Sequence, residues 1–255
     1  MRAWLLTSVI LCGCSGAVQN GWATTDDAGD AGADVFVGPT NTCQDGGGLW
    51  HHQVGAATLT SPQVHLIFWG NYWSTNTNGV SQFSATSSQW NILFNDPNFY
   101  SVISQYGTTG GRLAGTFLSN WEVPTGQMAE TDIQSELDKE IQNGTLPAPN
   151  NQTLYMVLLP PITQSQYDVQ NKFGGHHGFN NGYAYAVCEF TSNFTGVIAH
   201  ETWEAATNPD LNTGWYGGPG ETEVADLCQG SSATWTLDGY KLPKVWSQQD
   251  CRCSP

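Results

Sequence analysis

The chain is short of charge, and shortest of positive charge. Seven Lys and Arg stand against 22 Asp and Glu in 255 residues, a formal net charge of −15. A surface that acidic repels phosphate backbones and anionic headgroups, which excludes nucleic acid and anionic membrane surfaces as partners. There is no C-x-x-C, and past residue 14 C-x-C occurs once, so a thiolate metal site has no support. G-x-S-x-G and a Gly-rich phosphate loop are both missing, which removes the usual signatures of a serine nucleophile and of nucleotide binding. No apolar run is long enough to cross a bilayer comfortably. What the chain has in quantity is aromatic: eleven Trp, ten Phe and nine Tyr, enough for a large core.

The first residues read as an export signal. Arg2 precedes the apolar run AWLLTSVIL and then LCGC. Leu11, three places before Cys14, and Gly13 just before it resemble a bacterial lipoprotein box. Residues 1–14 are therefore expected to be a lipoprotein signal peptide, with lipidated Cys14 as the one attachment to a membrane. Residues 15–42, rich in Ala, Gly, Asp and Thr, cannot bury enough surface to offset their ordering entropy, and read as a flexible tether. Residues 43–255 are long enough for one domain with a sizeable core. Past the signal, five cysteines remain: Cys43, Cys188, Cys228, Cys251 and Cys253. In an oxidising compartment disulfides are the default, and Cys228 with Cys251 or Cys253, and Cys43 with the other, is the expected pairing.

Buried strands are predicted at 63–69, 152–161 and 183–190 from short apolar runs bounded by Gly, Pro and Asn, and a further strand within 110–124, where the pattern alternates. Residues 84–107 read as two short helices broken at NDPN. Residues 131–143 read as an amphipathic helix with Thr131 as cap and Gly144 as stop. Another helix runs from a cap near Ser192 to Asn208 and Pro209, and a hairpin turns at Asp238 and Gly239. Alternating helices and strands give an α/β (or α+β) single domain, a mixed sheet packed by helices.

The stretch VIAHETWEAATNP, residues 197–209, carries the chemistry. Residues four apart on a helix lie one above the other, so His200 and Glu204 can hold one ion between them. Glu201, one step round, can reach a water on that ion. This is the zincin helix H-E-x-x-H with the second histidine replaced, giving H-E-x-x-E. The helix is otherwise apolar and small, and burying its carboxylates without a cation is costly. From Lys172 to Lys241 the chain has eight carboxylates and no Lys or Arg. A divalent ion would meet that need. TEVADLC supplies the third ligand, Glu223 or Asp226, the latter also able to orient His200 from outside the ion's shell.

The segments VIAHETWEAATNPDLNTGWYGG and TEVADLC, with WHHQVGAATLTSPQVHLIFWGNYW and GGHHGFNNGYAYAV, resemble the plant Exordium, or phosphate-induced, proteins and their bacterial relatives. The resemblance covers residues 50–255 and places His177 at the family's Gly-aromatic-His segment; His176 stands where an aromatic is usual. It implies a surface-associated exported protein. Beside it, the spacing also resembles zincins whose third ligand is a later Glu, which suits Glu223.

Two functions follow as expectations. The first is an exported zinc peptidase. His200, Glu204, and Glu223 or Asp226 hold Zn2+, Glu201 is general base to a metal-bound water, and His177 is an electrophile or fourth ligand. The harder His/Glu/Glu set makes Ca2+ or Mn2+ more competitive and the ion less acidic. The second is a non-catalytic Exordium-like surface protein with a structural ion. The expected partner is a peptide or a cell-wall or other extracellular polymer.

Overall fold

Stretches in which every side chain is buried form the middle of the sheet, and the covering helices follow from that. The computed structural model describes residues 43, 50–51, 58–123, 126–211, 214–217, 223–229 and 234–255. The expected signal peptide and tether lie outside them. In chain order the elements are β1 (Trp50–His51), β2 (Gln63–Phe68), α1 (Tyr72–Thr75), α2 (Thr77–Leu93), α3 (Pro97–Ser101) and β3 (Arg112–Leu118). Then come β4 (Gly126–Met128), α4 (Glu130–Gln142), β5 (Thr153–Leu158), β6 (Thr163–Ser165), α5 (Gln166–Asn171), β7 (Gly175–Asn180) and β8 (Tyr183–Cys188). The chain closes with α6 (Phe194–Thr207), β9 (Trp215–Tyr216), β10 (Thr234–Leu237), β11 (Tyr240–Pro243), β12 (Val245–Ser247) and β13 (Arg252–Ser254).

The main sheet has the order β3-β2-β5-β8-β7. Its first four strands run parallel, and edge strand β7 runs antiparallel to β8. Parallel strands are covered on both faces, so their side chains are apolar on both. Leu66, Phe68, Met156 and Leu158 face one core with Trp90, Phe99, Ile198 and Trp203 from α2, α3 and α6. Ile67, Tyr155, Val157 and Val187 face a second core with Ile133 and Leu137 of α4. The fold is thus a mixed five-stranded sheet between helices, as the alternation of elements predicts.

Several boundaries differ from the sequence reading. Residues 77–93 form one long helix, started by Asn76, whose side chain accepts from the Asn78 and Gly79 N–H groups. Ala129, not Thr131, is the N-cap of α4, two residues earlier than the side chains suggest. β7 has no counterpart in the sequence reading. It is joined to β8 by Asn181 and Gly182, with φ of 45° and 89°, the left-handed pair that a two-residue hairpin turn requires.

The disulfides resolve the open pairing as Cys43–Cys251 and Cys228–Cys253, with Cys188 a buried thiol. They place the domain in an oxidising, extracellular or periplasmic setting. No helix among the described residues is long and apolar enough to cross a membrane.

Candidate metal centre

α6 is buried along almost its whole length. Trp203 anchors it by stacking on Phe99 and donating its Nε1–H to the Phe99 carbonyl at 3.0 Å. The Thr202 and Thr207 hydroxyls turn back on the helix's own carbonyls, hiding their polarity. Phe194, Ile198, Ala205 and Ala206 enter the core. The remaining face, with His200, Glu201 and Glu204, borders a cleft of about 430 Å³. β7 lies directly against that face. A Cβ on Gly175 would come within 2.7 Å of Val197 and 3.0 Å of a Glu201 oxygen, so only glycine lets strand and helix approach this closely.

His200 Nε2 lies 3.0 Å from Glu204 Oε2 and 3.4 Å from Asp226 Oδ1. Glu204 Oε1 is held by the N–H groups of Asp226 and Ala225, at 3.0 and 3.3 Å. The 226 segment is pinned from behind by the Cys228–Cys253 disulfide. Glu223 lies elsewhere in the cluster. Its Oε1 accepts from Asn208 Nδ2 at 2.7 Å and sits 3.5 Å from His177 Nε2. His177 bridges the two sides: Nε2 is 3.1 Å from the Asn208 carbonyl, and Nδ1 is 3.7 Å from Glu201 Oε2. Two groups of three bring their ligand atoms within 4.8 Å of one another: His200, Glu204 and Asp226, and His177, Glu204 and Glu223.

These separations suit a metal. Bonds of about 2.0–2.2 Å in a tetrahedron set neighbouring ligand atoms about 3.4 Å apart. The contacts of 3.0, 3.4 and 3.5 Å bracket that spacing.

Without an ion, the cluster shares protons. Burial would lower the His200 ring, but Glu204, Asp226 and Glu201 outweigh it and hold its pKa well above the ordinary value. Burial likewise opposes the charge on His177, yet Glu223, Glu201 and Glu204 raise it to about 9. Burial pushes Glu223 up to about 8 against the pull of His177, and it raises Glu204 despite His200. Asp226 is the exception: its bond and charge interaction with His200 overcome burial and lower it. Lys241 and Lys244 also reach the cleft. Among the described residues, neither forms an ion pair with these carboxylates.

All six residues singled out by sequence thus border one cleft. Spacing alone left Glu223 and Asp226 as alternatives for one position; the structure seats Asp226 at His200 and Glu223 at His177. By sequence Asn208 is a helix stop. It also fixes Glu223, and its side-chain Oδ1 accepts the Gly214 N–H at 3.0 Å. A second cluster had no sequence reading. His176, next in the chain to His177, places Nδ1 and Nε2 each 2.8 Å from Asp168 and Glu130. Tyr185 donates its hydroxyl to Glu130, and Gln134 donates to Tyr185.

No family model matches the chain, and no curated protein matches it. Among solved structures it overlaps the crystal structure of metalloproteinase-II from Bacteroides fragilis, at 11% identity and a TM-score of 0.36. The overlap covers 59% of this chain and 43% of the other, less than half that protein's length. So partial a likeness leaves the site to be read from its own residues.

Proposed function

We propose that the chain is an exported, lipid-anchored metal-dependent hydrolase, a zinc peptidase. The observation that carries this is Glu201. Glu201 is 4% exposed, borders the cleft, and among the described residues its ion-pair partner is His177 Nδ1, at 3.7 Å, beyond good hydrogen-bond range. A buried carboxylate with no close hydrogen bond among the described residues, beside a set of metal-ligating groups, is placed to take a proton.

The ion, on His200, Glu204 and Asp226, would supply Lewis acidity toward a carbonyl and toward water. Glu201 takes the proton of the attacking water and returns it to the leaving amine. The Ala225 and Asp226 N–H groups hold Glu204 in its ligand pose. β7 supports a peptide as substrate. It is the edge of the sheet, its residues Gly175, His176 and His177 line the cleft, and no described strand pairs with its outer side. An extended chain can add to such an edge by main-chain hydrogen bonds.

Glu201→Gln should keep the zinc and lose at least about 100-fold in peptide turnover, the scale of a general base. Retained turnover would refute the mechanism.

One observation favours a second reading, an Exordium-like surface protein whose ion is structural. Tyr167 and Phe173 stand 47% and 46% exposed at the cleft rim, their rings 6.3 Å apart. Such a pair can stack on a sugar ring. Glycan binding that survives Glu201→Gln, with no turnover in the parent, would select it.

A further inference from the structure

The two ligand groups have the same composition: one histidine, one carboxylate of their own, and Glu204 in common. Among the described residues, no group with ligand atoms mutually within 4.8 Å contains both rings. A single ion on His200 therefore leaves His177 facing carboxylates at 3.5 and 3.7 Å, too far for good hydrogen bonds, with the Asn208 carbonyl as its close contact at 3.1 Å.

The local geometry accommodates an ion at each ring. Glu204 Oε1 is held by two backbone N–H groups and Oε2 faces His200 at 3.0 Å, so Oε2 is the oxygen a pair of ions would share. His177 turns Nδ1 toward Glu201 and Nε2 toward Glu223. The Asn208 carbonyl, 3.1 Å from Nε2, adds a neutral oxygen on the same side. Paired ions in hydrolases sit about 3.5–4 Å apart, a distance one shared carboxylate oxygen can bridge.

We propose that the cleft floor is a two-ion centre bridged by Glu204, with one divalent cation on His200 and Asp226 and a second on His177 and Glu223. It rests on the hydrolase reading for its first ion and adds the second. Oxygen-rich sets with one imidazole each suit Zn2+ or Mn2+.

The test is metal stoichiometry on the full exported chain. The protein is stripped with chelator, reloaded with Zn2+, freed of excess and analysed for metal. Two zinc per chain is the expected result, falling to about one in His177→Ala and in Glu223→Gln. Mn2+ loading of the parent checks the same point without a variant: two bridged ions give a spin-coupled electron paramagnetic resonance signal. One zinc per chain, unchanged in His177→Ala, with an isolated six-line Mn2+ signal, would overturn the second ion and leave the single-ion hydrolase standing. No zinc at all would overturn both.

Discussion

His176 and His177 are neighbours on β7 and point to opposite faces of the sheet. Both are buried, and both face two carboxylates. For His176 the partners are 2.8 Å away at each ring nitrogen. Burial opposes its charge, but Asp168 and Glu130 overcome it and raise the pKa to about 10, so the ring is a cation at neutral pH. For His177 the carboxylates stand at 3.5 and 3.7 Å. A difference of less than 1 Å separates two kinds of site. At the shorter spacing a proton closes the contact and the ion pair is complete. At the longer one the ring and the oxygens have room for something larger than a proton. Buried histidines with acidic neighbours are thus sorted by distance before they are sorted by charge.

The largest expected effect tests the closed site. His176→Ala leaves Asp168 and Glu130 without their shared cation, and should cost about 3–5 kcal/mol in urea unfolding of the chelated protein. His177→Ala under the same conditions should cost about 1–2 kcal/mol, because Glu223 keeps its bond from Asn208. Equal losses would break the comparison. Next comes the ion itself. Zinc at 100 times its dissociation constant should stabilise the parent by about 2.7 kcal/mol, read from the melting temperature. His176→Gln should keep that increment and His200→Ala should reduce it.

The pH dependence comes third. The folded pKa of His176, about 10, lies above the ordinary 6.5, so the folded chain holds the proton more tightly than the unfolded chain. Its stabilisation is complete below about pH 6.5 and disappears as pH rises toward 10. The difference in urea midpoint between parent and His176→Gln should shrink over that window; a constant difference would mean the ring is not a cation. The smallest effect is Tyr185→Phe, which removes one hydrogen bond to Glu130 and should cost about 0.5–1.5 kcal/mol.

The His177 side of this comparison was largely legible in the sequence, and the His176 side was not. H-E-x-x-E exposes His200, Glu201 and Glu204 because helical spacing alone brings them together. Which carboxylate serves which histidine depends on the path between Asn208 and Glu223, and spacing does not encode that path. His176 meets Glu130 46 residues away, across a sheet edge, and no local pattern reports such a meeting. β7 itself hid behind composition: GHHGFN lacks the apolar run that marks β5 or β8. Its one local signal is Asn181-Gly182, a hairpin turn between two stretches that pair residue for residue. β2, β5 and β8 are legible because both of their faces are buried, which writes continuous hydrophobicity into the chain; β3, at the sheet edge and only half-buried, shows as alternation.

The Cys43–Cys251 bond joins residues 208 apart in sequence. Topologically, nearly all of the domain is one covalent ring. Outside a cell, where neighbouring proteases are a constant hazard, a single cut between those cysteines opens the ring and releases nothing. Both pieces would travel as one band on a gel until a reductant separates them.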